Sequence, residues 1–173
     1  MKSIKGPTDI LREDHALIFK VLTSLEKRDD ISYKTAQMVV KFFDGFVNEL
    51  HHNREECVLY KELMKKGVPE RFAPFGILLE EHQVDKVYIA KMRKMLPKMK
   101  QPGPAKEIFL QNLRCLIMVS KAHMEEENLY VYLMCDHVFS AEEYAKMAVV
   151  METDFPSKAT KPYSALAKRI LSG

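Results

Sequence analysis

Residues 108–135 read IFLQNLRCLIMVSKAHMEEENLYVYLMC, and their spacing is that of a long helix. Ile108, Leu116, Val119 and Tyr130 recur at helical intervals, no Gly or Pro interrupts the run, and nothing in it alternates with period two. His123 stands one turn after Val119, and Glu127 one turn after His123. Residues i and i+4 share a helix face, so an imidazole and a carboxylate point into one volume from an apolar stripe. Polar side chains on a buried stripe need a partner that offsets their lost hydration.

The same His-x-x-x-Glu frame occurs upstream as His51-His52-Asn53-Arg54-Glu55, with Val47 one turn before His51. Working outward, Gly and Pro punctuate the chain in few places: Gly6-Pro7, Gly67 to Pro74, Pro97 to Pro104, and Pro156 to Pro162. Thr8 or Asp9 can cap a first helix carrying Leu11, Ile18, Leu22 and Leu25 and ending near Asp29-Asp30. Ser32 can cap a second helix with Val40, Phe43, Val47, Val58 and Leu59, stopped by Gly67 and Pro69. A third helix starts near Pro74, carries Leu78 and Ile89, and ends before Pro97; the fourth runs from about Pro104 to Cys135. Ser140 caps a short helix over Ala141 to Met151. The expected fold is all-α: an up-down-up-down four-helix bundle in one domain over 1–155, with a short additional C-terminal helix and a tail over 156–173.

Each long helix carries a histidine on its stripe, His15 between Leu11 and Ile18, His51, His82 between Leu78 and Ile89, and His123. Successive ones are separated by about a helix plus a loop, so all can sit at one level of an up-down bundle. Four imidazoles with Glu55 and Glu127 form a two-metal constellation, in which each carboxylate can bridge two cations. Metal identity stays open on ligand type alone, since imidazole with carboxylate suits iron, manganese or zinc. His52, adjacent to His51, is expected to turn ~100° away toward solvent, and His137 to be structural or exposed. Tyr60 and Tyr130 fall at the level where a phenol could reach a ligand carboxylate.

Composition narrows the classes. The chain has 173 residues, 47% hydrophobic and 29% charged, enough for one core without disulfides. Lys+Arg at 27 against Asp+Glu at 24 leaves a formal charge of +3, too small and too dispersed for a nucleic-acid surface. Cys57, Cys115 and Cys135 make no CxxC pair and read as free thiols of a reducing compartment. No apolar run approaches the ~20 residues of a membrane span, so a cytoplasmic protein is expected.

The ordered set of LREDHALIFKVL, ELHHNREECVLY, LLEEHQ and AHMEEENLYVYLMCDHVFS resembles the hemerythrin-like, or HHE cation-binding, domain family over Thr8 to about Met151. The resemblance implies a bundle holding two non-haem iron ions, with terminal ligands His15, His51, His82 and His123 and bridging Glu55 and Glu127. It further implies binding or sensing of O2 or a related small molecule such as NO, with an electron-donor or signalling protein as a possible partner. The alternatives are a redox enzyme reducing peroxide or NO at the same centre, and a metal-handling bundle. Oxygen-carrying members place a second histidine one turn from the first on the third helix, whereas the neighbours of His82 at one turn are Leu78 and Lys86. Glu56, Glu81, Asp85 and His52 are therefore the candidates for a further ligand. Ferritin-like di-iron sites need two Glu-x-x-His strings, and only Glu49-Leu50-His51-His52 is present.

Overall fold

Ser32 and Ser140 cap helices as their sequence contexts predict: the Ser32 hydroxyl accepts the Thr35 N–H at 3.0 Å, and Ser140 forms a capping box with Glu143. In the computed structural model, which describes residues 5–69 and 75–173, six helices follow. They are α1 (Pro7–Glu26), α2 (33–65), α3 (Phe75–Met95), α4 (105–138), α5 (Ala141–Asp154) and α6 (Lys161–Ser172). Pro74, expected to open the third helix, lies outside the described residues. α1 starts two to three residues earlier than its predicted caps, Thr8 or Asp9: Pro7 is the first helical residue, Gly6 is the cap, and the Gly6 N–H donates to Asp9 at 3.1 Å. α2 ends at Lys65, and Gly67 follows at φ +90, a left-handed conformation that glycine adopts without a Cβ clash.

Two apolar clusters fill the interior, and the four long helices each contribute to both. α1 passes from Leu11 to Ile18 and Leu25, α2 from Phe46 and Leu50 to Val58 and Leu63, α3 from Phe75 and Leu78 to Ile89 and Met92, and α4 from Phe109 and Leu116 to Val131 and Cys135. The chain visits the clusters in alternating order, and between them each helix inserts polar residues: His15; His51 to Glu55; His82 and Asp85; Ser120 to Glu127.

The buried stripe of α4 differs from the sequence reading by one position. Ile108 and Tyr130 are exposed and Val119 is half-buried, while Phe109, Leu113, Leu116, Ser120, His123, Glu127 and Val131 face inward. Hydrophobicity alone misplaced the stripe because its inward face carries Ser, His and Glu. The segment past Phe155 is also ordered. α6 packs on α1 and α2, burying Leu166, Ala167 and Ile170, so the C-terminal region adds two helices where the sequence indicated one.

Candidate metal centre

Each of the six residues singled out from spacing is buried in one layer between the two clusters, His15, His51, Glu55, His82, His123 and Glu127 being at most 3% exposed. The imidazoles form two pairs. His15 and His51 bring their Nε2 atoms to 3.1 Å, and so do His82 and His123. The outer Nδ1 atoms are held from behind: His15 donates to Asn128 at 3.2 Å, His82 to Glu56 at 2.8 Å and His123 to Glu81 at 2.9 Å, while His51 faces Asp14 at 3.6 Å. Partners on Nδ1 fix the tautomer that carries its proton there and aim the Nε2 lone pair inward. Glu56 and Glu81 thus hold His82 and His123 from behind rather than pointing into the layer.

The carboxylates lie between the pairs. Glu55 reaches His51 and His82 Nε2 at 3.5 Å and His15 Nε2 at 3.9 Å; Glu127 reaches His15 and His123 at 3.2 Å and His82 at 3.7 Å. One oxygen of each, Oε2, is buried without a hydrogen-bond partner. Two inward lone pairs 3.1 Å apart repel unless a proton or a shared cation joins them. The donor set and its orphaned oxygens therefore fit metal ions.

Local helix geometry produces this convergence. Glu55–Leu59 and Glu127–Val131 are π turns, closed by the Tyr60 N–H on the Glu55 carbonyl and the Tyr132 N–H on the Glu127 carbonyl. A π turn takes in an extra residue and carries the side chain five positions on back over the first. Tyr60 and Tyr132 consequently enter the layer, and they cross: the Tyr60 hydroxyl donates to Glu127 and the Tyr132 hydroxyl to Glu55. Tyr132 also stacks on His15. Sequence reasoning found Tyr60 but chose Tyr130, which is exposed, over Tyr132. The repeat His51-x3-Glu55-x4-Tyr60 and His123-x3-Glu127-x4-Tyr132 was the available signal.

His52 corrects a second expectation. It is 2% exposed, its ring stacks on His82 at 3.8 Å, and one of its nitrogens groups with those of His82 and His123 within 4.8 Å. The π stretch Phe43–His51, closed by the His52 N–H on the Val47 carbonyl, shifts the register so that adjacent histidines both face inward, one toward each pair. Its Nδ1 has no partner. Lys86 stays half-exposed beside Glu56 at 3.7 Å and Leu78 belongs to an apolar cluster, so neither enters the layer. Asp85 is buried but takes the Ser120 hydroxyl at 2.9 Å. His137 is exposed and bonds the Leu133 carbonyl at 2.7 Å.

The family model for the hemerythrin HHE cation binding domain matches residues 6–135. The chain belongs to that family. No curated protein and no solved structure matches it. For a hemerythrin-family chain the metal-free electrostatics are telling. Burial, then the charge of Glu127, raises Glu55 well above the usual carboxylate range. Glu127 is also opposed by burial, but the His123 charge and hydrogen bonds from His123, His15 and His82 hold it well below that range. Burial pushes His51 down to about 4, against the pull of Asp14, and holds His52 well below the usual imidazole range, with His82 as the next cause. His123 goes the other way, because Glu127 and Glu81 outweigh its burial. A layer this rich in buried titratable groups costs folding free energy, and protons only partly offset what cations would.

Proposed function

We propose that this hemerythrin-family chain holds two metal ions, iron in the cell, and uses the pair to bind O2 or a related small molecule such as NO. The observation that carries the reading is the pair of Nε2 couples at 3.1 Å with Glu55 and Glu127 between them, each carboxylate reaching nitrogens of both couples. His15 and His51 would hold one ion, His82 and His123 the other, with His52 as a third imidazole on the second side and Glu55 and Glu127 shared. The alternating cluster order along the four ligand-bearing helices supports the up-down bundle expected of such a centre. Iron so held supplies one-electron chemistry toward O2 and NO.

The chain's own residues define the conditions for it. The apolar clusters on both sides exclude water from the layer, strengthening every charge interaction within it. Tyr60 and Tyr132 keep their phenol protons, raised well above the usual tyrosine range by burial and then by the carboxylate charges, and donate them to Glu127 and Glu55. These bonds orient the two carboxylates. A groove of about 530 Å³, lined by Ala16, Phe19 and Met124, ends on His15 and Asn128 and offers a small apolar molecule an approach. The test is the metal content of protein purified without oxygen, with its optical spectrum before and after air. Two iron ions per chain and an absorption change on exposure to O2 or NO are expected. A colourless two-zinc protein would remove the gas-binding reading, and steady consumption of peroxide with a reductant would move the assignment to a redox enzyme.

A further inference from the structure

Arg54 is the largest fully buried side chain among the described residues, 1% exposed, and it brings a guanidinium into the interior. Burying such a charge is costly unless every donor is met. Nε and Nη2 donate to the Phe155 carbonyl at 3.2 and 2.9 Å, and Nη1 donates to Asp14 at 2.5 Å. The Asp14 oxygen that receives this bond is the one 3.6 Å from His51 Nδ1. A relay therefore runs by hydrogen bonds from a backbone carbonyl beyond α5 through Arg54 to Asp14, and from there by charge alone to the His51 ring, whose Nδ1 has no hydrogen-bond partner.

The relay sets His51 apart. His15, His82 and His123 take their outer partners from Asn128, Glu56 and Glu81, all within the residues shared with the family, 6–135. Phe155 lies outside that stretch. Its position is fixed from both sides: its N–H closes α5 on the Met151 carbonyl, and the Ser157 N–H and hydroxyl bond Glu152 at 2.9 and 2.6 Å. α6 then docks by burying Leu166, Ala167 and Ile170, with Arg28 donating to the Ile170 carbonyl at 2.6 Å. Tyr163 lies against Gly45 of α2, where a Cβ would meet its hydroxyl at 2.3 Å. Over Asp14 and Arg54 themselves a cavity of about 340 Å³ remains between this segment and α1, so the hold at that point is polar rather than packed.

We propose that residues 155–172 form a latch on the His51 side of the centre, with Arg54 and Asp14 as positioning residues that transmit its docking to the His51 ring. Without the Phe155 carbonyl, two Arg54 donors lose their acceptor and turn onto Asp14, drawing its carboxylate from His51. The ion held by His15 and His51 then loosens, and the ion held by His82 and His123 does not. This rests on His51 being a metal ligand.

The experiment is chelator competition for iron(II) on the full chain without oxygen, comparing wild type with Ile170→Asp, which undocks α6, and with Arg54→Met, Arg54→Lys and the double variant Ile170→Asp/Arg54→Met. One ion should weaken about 10–100-fold in Ile170→Asp and in Arg54→Met, as when the partner behind a ligand is displaced, with the other unchanged. The double variant should be no weaker than the worse single variant, because both break one relay. Arg54→Lys should recover part of the loss. The ¹⁵N shift of His51 Nδ1 in the metal-free protein should move in Ile170→Asp while that of His123 Nδ1 stays, a contrast that general loosening of the fold would not give. If Arg54→Met does not fold, Ile170→Asp and Arg54→Lys decide the matter with the same readouts. Unchanged affinities in Ile170→Asp, with α6 shown undocked by protease cleavage, would overturn the latch, as would equal weakening of both ions or additive losses. Wild type that binds no iron would remove the metal centre itself, a result separate from variants that match a two-ion wild type.

Discussion

The α2 and α4 halves of the centre are built on one pattern and filled differently. His51, Glu55 and Tyr60 correspond to His123, Glu127 and Tyr132, each set wound through a π turn and each tyrosine reaching across to the other half's glutamate. At the position after the first histidine, however, α2 has His52 and α4 has Met124, both buried; three after it, α2 has Arg54, buried, and α4 has Glu126. The shared pattern places the ligands, and the unshared positions make the halves inequivalent. One half adds an imidazole to the opposite pair and ties its own histidine to the C-terminal segment. The other rests its own histidine on Glu81, and its Asn128 backs His15 of the opposite pair.

The comparison breaks first at the carboxylates. If both are shared, Glu55→Ala and Glu127→Ala should each abolish tight binding of both ions, seen as less than one metal per chain after anaerobic reconstitution; a variant that keeps two ions marks its glutamate as unshared. Next, His51→Ala and His123→Ala should each lose one ion, by more than the about 10–100-fold that an outer-partner change costs, whereas His137→Ala should retain both. His52→Ala tests the inequivalence directly. As a ligand it should loosen only the ion of His82 and His123, by about 100-fold, while a ring that merely stacks on His82 would leave both affinities alone.

Protonation of the metal-free protein sharpens the contrast without metal. Histidine proton NMR against pH should find His51 neutral down to about pH 4, and His123 still charged above the ordinary imidazole range. His51 and His52 therefore lend stability that fades as pH falls below about 6.5, because the unfolded chain takes up protons the folded one refuses. His123 lends stability that is complete below about 6.5 and fades as pH rises through its raised value. Matching titrations at 51 and 123 would contradict the contrast. The smallest effects are those of Tyr60→Phe and Tyr132→Phe, each removing one hydroxyl donor to a carboxylate, worth about 1–3 kcal/mol. Tyr132→Phe should weaken binding more, since that hydroxyl also lies 3.1 Å from His15 Nε2.

Periodicity and spacing alone yield the four long helices, the short helix after Ser140 and the six residues that meet in the layer, because helical periodicity and i, i+4 spacing are local and survive any tertiary arrangement. The sequence also determined the family, through the order of its His and Glu frames. The tertiary structure decided the rest. Ideal 3.6-residue periodicity sends His52 to solvent and leaves Glu55 with no phenol, whereas three π stretches turn His52 and Tyr132 inward. Nothing in the sequence marks Arg54 and Asp14, since a buried Arg is recognised only by its partners, and one of these is a backbone carbonyl of Phe155, 101 residues away. No spacing rule encodes contacts of that range; they exist because α5 and α6 fold back over α1 and α2.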